Sequence, residues 1–476
     1  MKRNNFAYLS LAELSKLILK KEISVTEVIN TFLERIDRFQ PEFNAYITVC
    51  REEALASAKI IDNSLTRGAP AGKPLLGIPV ALKDQFDTRG VLTTNGSLAL
   101  RDYVPGEDAT VVARLKEAGA IIIGKLNMNE FAAAGGEDPP FGQPRNPWNK
   151  DYSVGGSSSG SGIAVSAALC TISVAEDSGG SGRIPASYCG VVSIRPSTGL
   201  ISRYGIHPLS PSLDTAAPIG RSVADCAAEL QVIAGYDPKD TLSSCRPMPD
   251  YVGSLRKNIK GTRLGVIKEF MDDPNLDPAI MAAVKTAIAV LADLGATIEY
   301  VSIPHIQDSM YALGIIIWCE GAALNRRWLK SKYDLFKPST RLGFLAGSLL
   351  PAKAYLRARQ AQSLIRSHVF ESLQKYDLLL SPISPKPVPK IENILNAQNF
   401  PVKEDVLKRH SDGHVAFAPL AGCPAISVPC GFSQSGLPIG LQISGRPFEE
   451  TTVLRAAFAY EQSTVWHDRH PALAGD

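Results

Sequence analysis

The sequence has no long hydrophobic run and no block of charge of one sign. No stretch offers the roughly twenty uninterrupted apolar residues that a membrane-spanning helix needs. The start, MKRNNFAYLSLAELSKLILKK, is interrupted by Glu13 and Lys16, so it predicts an amphipathic helix rather than a secretory signal. The formal net charge is only +3, without a basic cluster typical of nucleic-acid surfaces. We therefore expect a small-molecule partner, and no direct contact with nucleic acid or membrane.

Patterns that mark disulfides and metal sites are also missing. The eight cysteines are scattered, without a C-x-x-C pair, and most have apolar neighbours, which is typical of reduced core thiols. The seven histidines contain no H-E-x-x-H pattern. We therefore expect a cytoplasmic protein that uses no metal and no cofactor.

The apolar residues alternate between helical and strand patterns. Capping-box signals at Ser10 and Ser24 predict two N-terminal helices. Helical runs that stop at Gly119 and Gly295, each followed by a short β-rich run, predict helices that return to parallel strands. Residues 424–445 predict an antiparallel hairpin. The fold class expected is α/β, with a mixed, mostly parallel twisted sheet covered on both faces by helices.

Nothing in the sequence divides the chain into separate units. We find no internal repeat and no strong linker, so residues 1–476 predict a single large domain. The polar, proline-rich segment 385–413 predicts a surface loop or lid, and residues 450–463 predict the last helix.

Two clusters rich in glycine and serine are the most unusual feature of the sequence. The first, GGSSSGSG at residues 155–162, precedes an apolar run long enough for a buried helix, which favours a helix entrance over a flexible linker. It lacks the G-K-[ST] of a phosphate-binding loop. The second cluster reads EDSGGSGR. Upstream of both, the run IPVAL predicts a buried strand that ends at Lys83.

These residues can form a coherent catalytic relay. A serine hydroxyl is a poor nucleophile until a base removes its proton, and lysine can be that base when burial lowers its pKa. Lys83, with no acid beside it other than Asp84, can occupy such a place. The glycines before Ser181 allow consecutive N–H groups to turn toward a developing oxyanion. From composition alone, a surface lysine and a linker loop remain the commoner alternatives.

A set of strings, in order, resembles the amidase signature family. They are GIPVALKD, GKLNMNEF, RNPW, GGSSSGS, DSGGSGRIPASYCG and GCPAISVPCGF…GLPIGLQISGRPFEE. The resemblance extends over about residues 8–470. It implies the family's fold, with a signature core at about 75–225 between N-terminal helices at about 8–62 and a C-terminal part at about 260–470. It also implies an amide hydrolase that works through a serine acyl-enzyme.

The resemblance implies a role for each member of the relay. Ser181 corresponds to the nucleophile, Ser157 to the bridging serine that follows a cis peptide bond, and Lys83 to the base. The other implied or candidate site residues are the backbone N–H donors Ser178, Gly179, Gly180 and Ser181, the charged supports Asp177 and Arg183, and the substrate contacts Met128, Gly182 and Trp318.

Several positions depart from the family pattern. Ala175 and Glu176 stand where Gly-Thr is usual, and Ser159 stands where glycine is common. Gln85 replaces a frequent asparagine, and Gly182 replaces a β-branched residue. Because glycine removes side-chain bulk beside the nucleophile, we expect an altered or roomier pocket at this position.

Within the family, the chain resembles free-standing bacterial amidases and the glutaminase component of the glutamyl-tRNA amidotransferase. That component binds glutamine through an arginine in a DGVRYG-like stretch, which the corresponding segment here, about 318–346, lacks. The apolar residues around Trp318 and Phe344 suggest an aryl amide, ester or carbamate. We expect a stand-alone hydrolase; the alternative is a glutaminase-type subunit of a complex for tRNA-dependent amidation. A homodimer is left open.

Overall fold

One mixed β-sheet runs through the residues that the computed structural model describes, which are 6–68, 72–133, 139–398 and 413–474. Its strands are β1 (Tyr46–Val49), β2 (Pro79–Lys83), β3 (Ile121–Leu126), β4 (Ile172–Glu176), β5 (Val192–Arg195), β6 (Ala216–Gly220), β7 (Arg263–Ile267), β8 (Thr297–Val301), β9 (Leu378–Pro382), β10 (Ala425–Phe432) and β11 (Pro438–Gly445). Their order across the sheet is β1-β3-β2-β4-β6-β5-β10-β11-β9-β7-β8. The pair β10–β11 therefore lies between the first six strands and the remaining three.

The prediction of a mixed sheet is confirmed, but the prediction that it is mostly parallel is wrong. Within the described residues, four strand pairings are parallel. Six are antiparallel. The reason lies in the connections, because parallel neighbours need a long crossover whereas antiparallel neighbours can be joined directly. No helix of the described residues lies between β5 and β6, and a short turn joins β10 to β11.

Helices flank this sheet. They are α1 (Leu11–Leu19), α2 (Val25–Phe43), α3 (Arg51–Thr66), α4 (Thr110–Glu117), α5 (Ser159–Ser166), α6 (Arg183–Cys189), α7 (Val223–Ile233), α8 (Lys268–Met271), α9 (Pro278–Asp293), α10 (Ser309–Ser331), α11 (Pro338–Leu349), α12 (Ala352–Lys375), α13 (Ile391–Gln398), α14 (Phe417–Ala421) and α15 (Glu450–Glu461). The main hydrophobic core fills the space between them and the sheet, and residues such as Val80, Ile163 and Leu441 in it are fully buried.

Most elements expected from the sequence are present. Both N-terminal helices carry complete capping boxes, in which Ser10 pairs with Glu13 and Ser24 with Glu27. The two helix-to-strand units are α4–β3 and α9–β8, and the C-terminal hairpin is β10–β11. The expected surface loop 385–413 instead contains helix α13, while its residues 399–412 lie outside the described part of the chain.

The structure bears on three further expectations. None of the helices in the described ranges is both long and apolar enough to cross a membrane. All eight cysteines are free thiols. Among the described residues, no group of three or more histidine, cysteine, aspartate or glutamate side chains is placed to hold a metal ion. The cytoplasmic location and the boundaries within the domain stay predictions.

Glu461, at the end of α15, should make stability depend on pH. Its Oε1 accepts the Val223 N–H at 2.7 Å, at the start of α7, but Oε2 has no hydrogen-bond partner in the part of the chain that the structure describes. Burial raises the pKa of Glu461 to about 8. Because the folded protein holds this proton more tightly than the unfolded chain, stability is lost as the pH rises toward 8. We expect Glu461→Gln to reduce the loss in unfolding free energy between pH 6 and pH 9 by about 3 kcal/mol.

Urea unfolding of both proteins across this pH range measures the difference. Glutamine keeps an oxygen for the Val223 N–H but cannot ionise, so the variant isolates the titration of the carboxyl. Equal pH dependence in the two proteins would show that Glu461 does not titrate in this range.

Candidate active site

The ends of two neighbouring strands place the charged residues of the site. Strands β2 and β4 are parallel and adjacent, with Leu82 paired to Val174. Their carboxyl ends therefore lie at the same edge of the sheet, where Lys83 ends β2 and Glu176 ends β4. All five residues of each strand are buried. The lysine and the glutamate are thus brought together in the interior by the sheet itself.

Lys83 contacts the first of the two glycine/serine clusters, residues 155–162, here called the first serine loop; the loop that carries Ser181 is the second. Its Nζ lies 2.8 Å from Ser157 Oγ, at hydrogen-bond distance, and 3.0 Å from Glu176 Oε2. The side chains of Lys83 and Glu176 are 0 % exposed. Burial lowers the pKa of Lys83 below its ordinary value, although the charge of Glu176 acts in the opposite direction. The lysine is therefore moved toward the neutral form that a general base requires.

The acid in contact with Lys83 is Glu176, not its sequence neighbour Asp84. Asp84 turns to a second buried lysine, with Asp84 Oδ1 at 3.3 Å from Lys125 Nζ, and also accepts the Thr94 N–H at 2.7 Å. Successive side chains of an extended segment point to opposite faces, so Asp84 and Lys83 separate. Glu176, which stood out in the sequence only as a departure from the family pattern, takes the place beside Lys83.

Ser157, the predicted bridging serine, follows an unusual peptide bond. The peptide bond between Gly156 and Ser157 is cis, at the place that the resemblance implies. The Asn129 N–H donates to Ser157 O at 3.0 Å. The next residue connects the two serine loops, because the Ser158 N–H donates to Ser181 O at 3.4 Å and its Oγ to Glu176 O at 3.1 Å. Ser157 is thus held between Lys83 and the loop that carries Ser181.

Ser181 lies in the loop between β4 and α6, and its side chain is half-buried. Within the described residues its hydroxyl has no hydrogen-bond partner, so it is free to turn toward Ser157 or toward a bound molecule. The backbone N–H groups of Ser178, Gly179 and Ser181 likewise have no acceptor there. Gly180 differs from the prediction: its N–H donates to Asp177 Oδ1 at 2.8 Å, which removes it from the four expected oxyanion donors.

Asp177 braces this loop, as expected, together with Arg183. Arg183 Nε donates to Asp177 Oδ2 at 2.9 Å and Arg183 Nη2 donates to Oδ1 at 3.0 Å. A second arginine, Arg195 at the end of β5, approaches Asp177 Oδ1 to 3.5 Å. Burial alone would raise the pKa of Asp177, but the two arginines hold it well below its ordinary value. The turn before Ser181 is therefore fixed by a buried, ionised carboxylate.

A second acidic group lies beside Glu176. The Ser178 hydroxyl is 2.5 Å from Glu176 Oε1 and 2.7 Å from Asp214 Oδ1. Asp214 also accepts N–H groups from Leu209 at 3.0 Å and from Ser210 at 2.9 Å. Burial, followed by the charge of Glu176, raises the pKa of Asp214 to about 7. Sequence reasoning missed Asp214 and Arg195; the only signal was a charged residue next to a short buried strand.

Two of the three candidate substrate contacts do not fit the structure. A Cβ atom on Gly182 would lie 2.9 Å from Ser193 Oγ and 3.0 Å from Ala217 Cβ. Position 182 therefore faces the sheet, and the expected roomier pocket is wrong there. Met128 is fully buried in a hydrophobic cluster with Phe131, so its side chain offers no exposed surface to a substrate.

Helix α10 approaches the second serine loop, which carries Ser181. A Cβ atom on Gly179 would lie 2.8 Å from Leu313 Cδ2 and 3.5 Å from Ile317 Cδ1. The half-buried Trp318 follows on the same helix and packs edge-on against Phe344, with ring centroids 6.0 Å apart. Its contact with substrate stays a prediction. Leu313 and Ile317, which lie against Gly179, were not singled out by the sequence.

The chain is similar to known proteins along nearly its whole length. A family model described as Amidase matches residues 27–454. The glutamyl-tRNA(Gln) amidotransferase A-subunit of Geobacter metallireducens is 40% identical, with 98% of this chain and 99% of the relative covered. The solved structure of the same amidotransferase component from Thermotoga maritima is 32% identical, with a TM-score of 0.81 and coverage of 96% and 95%.

A solved peptide amidase has a similar fold. Native peptide amidase from Stenotrophomonas maltophilia is 29% identical, with a TM-score of 0.86 and 99% of each chain covered. The family match extends from α2 to α15 and includes both serine loops and the strand that ends at Lys83. This chain therefore belongs to the amidase family, whose members hydrolyse the C–N bond of amides.

Proposed function

We propose that this chain cleaves a carboxylic amide through an acyl-enzyme on Ser181, with Ser157 and Lys83 as its proton relay. The single observation that carries the proposal is the buried contact of 2.8 Å between Lys83 Nζ and Ser157 Oγ, next to the loop of Ser181. A lysine buried among apolar strands and bonded to a serine hydroxyl is arranged to accept a proton from it.

The proposed reaction begins with the transfer of two protons. Neutral Lys83 takes the hydroxyl proton of Ser157, which takes that of Ser181, and Ser181 Oγ attacks the substrate carbonyl. The N–H groups of Ser178, Gly179 and Ser181 would stabilise the oxyanion. Breakdown of the tetrahedral intermediate breaks the C–N bond, and the relay returns its proton to the leaving nitrogen. Water then attacks the acyl-enzyme, the relay accepts the water proton, and Ser181 is restored.

The free Ser181 hydroxyl supports this order of events. Catalytic hydrogen bonds are often absent or long without substrate and form in the reactive complex. The contact between Ser158 N–H and Ser181 O joins the two loops, so Ser181 is hydrogen-bonded through its backbone to the residue that follows Ser157.

Two observations bear on the substrate. An aromatic cluster that includes Phe131, Phe336 and Phe344 lies beside Ile317 and Trp318 of α10. Because α10 also contacts the serine loop, this arrangement supports a substrate with a bulky or aromatic group. Esters and carbamates carry the same carbonyl and suit the same nucleophile.

The second candidate is a component of an amidotransferase complex. The observation that favours it is the 40% identity, over almost the full length, to a protein named as the A-subunit of such an enzyme. This similarity favours the complex component over a free-standing amidase. The glutamine-binding stretch expected of that component is nevertheless absent from about 318–346. In this case partner subunits would join the chain, and the amide would be hydrolysed to supply ammonia.

Labelling with a fluorophosphonate tests the proposed nucleophile. We expect one covalent adduct per chain, located on Ser181 by peptide mass spectrometry, because the relay raises the reactivity of this hydroxyl alone. The unlabelled neighbours Ser157 and Ser178 serve as internal controls. An adduct on another serine, or none, would contradict the assignment.

Turnover separates the two candidates. A purified chain that hydrolyses an aryl amide alone is a free-standing hydrolase. A chain that is labelled on Ser181 but releases ammonia from glutamine only after partner subunits are added is one component of a complex.

A further inference from the structure

Glu176 contacts the proposed base directly, but it takes no part in the proposed proton relay. Its Oε2 lies 3.0 Å from Lys83 Nζ, and neither side chain is exposed to solvent. Burying a charged pair is costly unless its geometry is good, so an acid at this place demands an explanation. Threonine, which the family resemblance leads us to expect here, could accept a hydrogen bond but could not carry charge.

The Ser178 hydroxyl lies between Glu176 and a second carboxyl. This arrangement requires one proton besides the hydroxyl proton of Ser178. Its hydroxyl lies 2.5 Å from Glu176 Oε1 and 2.7 Å from Asp214 Oδ1. A hydroxyl donates only one hydrogen, so one carboxyl must donate to the Ser178 oxygen while the other accepts. Two buried carboxyls bridged by one hydroxyl also resist double ionisation, in agreement with the raised pKa of Asp214. The bridge therefore holds one proton more than Ser178 supplies, and the raised pKa of Asp214 assigns it to the Asp214 carboxyl.

The other charges around Lys83 are directed elsewhere. Arg183 and Arg195 both point at Asp177, with closest contacts of 2.9 Å and 3.5 Å. Asp177 raises the pKa of Lys83 less than Glu176 and Asp214 do. The carboxyl pair is therefore the group that most directly opposes the effect of burial on the lysine.

We propose that Glu176 is a positioning residue that holds Lys83 against Ser157 and, with Asp214, sets the pH above which the lysine accepts the Ser181 proton. This inference rests on the proposed function. Glu176 Oε2 holds Lys83 Nζ at 3.0 Å, while Nζ lies 2.8 Å from Ser157 Oγ. A positive charge that forms on Lys83 during attack therefore lies beside a carboxyl group. Asp214 acts on the lysine through Ser178 and Glu176.

The pH profile of kcat/KM tests this inference in wild type, Glu176→Gln and Asp214→Asn. Glutamine keeps the shape and an acceptor for Lys83 but cannot carry a negative charge. Without that charge Lys83 loses its proton more readily, so we expect the acid limb of Glu176→Gln to move down by about one to three pH units. Asp214→Asn should move the acid limb in the same direction by less, because Asp214 is connected to Lys83 only through Ser178 and Glu176.

A matched control removes a buried carboxyl elsewhere. Glu450 is 1 % exposed and accepts the Ser197 N–H at 2.8 Å, away from Lys83. Glu450→Gln should therefore leave the acid limb unchanged even if it destabilises the fold. An acid limb that does not move in Glu176→Gln, or moves equally in Glu450→Gln, would overturn the inference.

Direct titration of Lys83 distinguishes this inference from the proposed function. NMR of lysines labelled with ¹³C at the ε carbon follows its ionisation without substrate, and Lys83→Arg identifies the signal. A lower Lys83 pKa in Glu176→Gln than in wild type supports the inference even if Ser181 is never labelled. An equal pKa refutes it even if the enzyme is active.

Discussion

Replacing Ser181 with alanine should lower amide hydrolysis by about ten-thousandfold or more, with the fold intact. Without the hydroxyl no acyl-enzyme can form, and the remaining N–H donors and relay can only assist a direct attack by water. The Ser181 hydroxyl has no hydrogen-bond partner in the described residues, so its loss breaks no contact. Steady-state kinetics measure the first effect, and thermal unfolding should show a stability change within about 0.5 kcal/mol.

Ser161 offers a matched control for this substitution. It lies in α5, which begins two residues after Ser157, and its buried hydroxyl also lacks a hydrogen-bond partner among the residues described. Ser161→Ala should therefore keep both turnover and stability. Ser181→Ala with more than a tenth of wild-type turnover would show that another group attacks the carbonyl.

Asp177→Ala should destabilise the protein by about 3–5 kcal/mol, the range expected when one partner of a buried ion pair is removed. Asp177, Arg183 and Arg195 are all fully buried, and Asp177 is the acid that both arginines approach. Its loss also frees the N–H of Gly180, which donates to it at 2.8 Å. Urea denaturation measures the change in the free energy of unfolding.

An exposed ion pair provides the comparison. Asp37 contacts Arg51 on the surface, where their side chains are 61% and 43% exposed. Because solvent screens exposed charges, Asp37→Ala should cost less than about 1 kcal/mol. If both substitutions lowered the free energy of unfolding by the same amount, the buried network would have no special role in holding the loop that carries Ser181.

Local patterns predicted the elements of the fold and the buried strand that ends at Lys83. The capping boxes at Ser10 and Ser24, and the glycine stops at Gly119 and Gly295, depend on residues close in sequence, so they can be recognised without the fold. The direction of the strands is different, because it depends on which strands become neighbours. That is why the sheet was predicted to be more parallel than it is.

In the site, too, features that depend on nearby residues were predicted, whereas contacts that depend on the fold were not. Lys83 and Ser157 could be brought together by family resemblance, and the structure places their reactive atoms 2.8 Å apart. Glu176 was visible as an unexpected residue, but its contact with Lys83 depends on β2 and β4 being adjacent. Gly182 was misjudged because the sequence shows a missing side chain without showing that it would face Ser193 and Ala217.

The place of the β10–β11 hairpin has a consequence for how the protein is made. Strands β1–β6 and β7–β9 are translated first, yet these two groups meet in the sheet only through residues 425–445. The same hairpin supplies Gln442, whose Oε1 accepts a hydrogen bond of 2.5 Å from Arg183 beside the nucleophile loop. During synthesis, the two groups of strands therefore keep open sheet edges until residues 425–445 have left the ribosome, and only then can the sheet close.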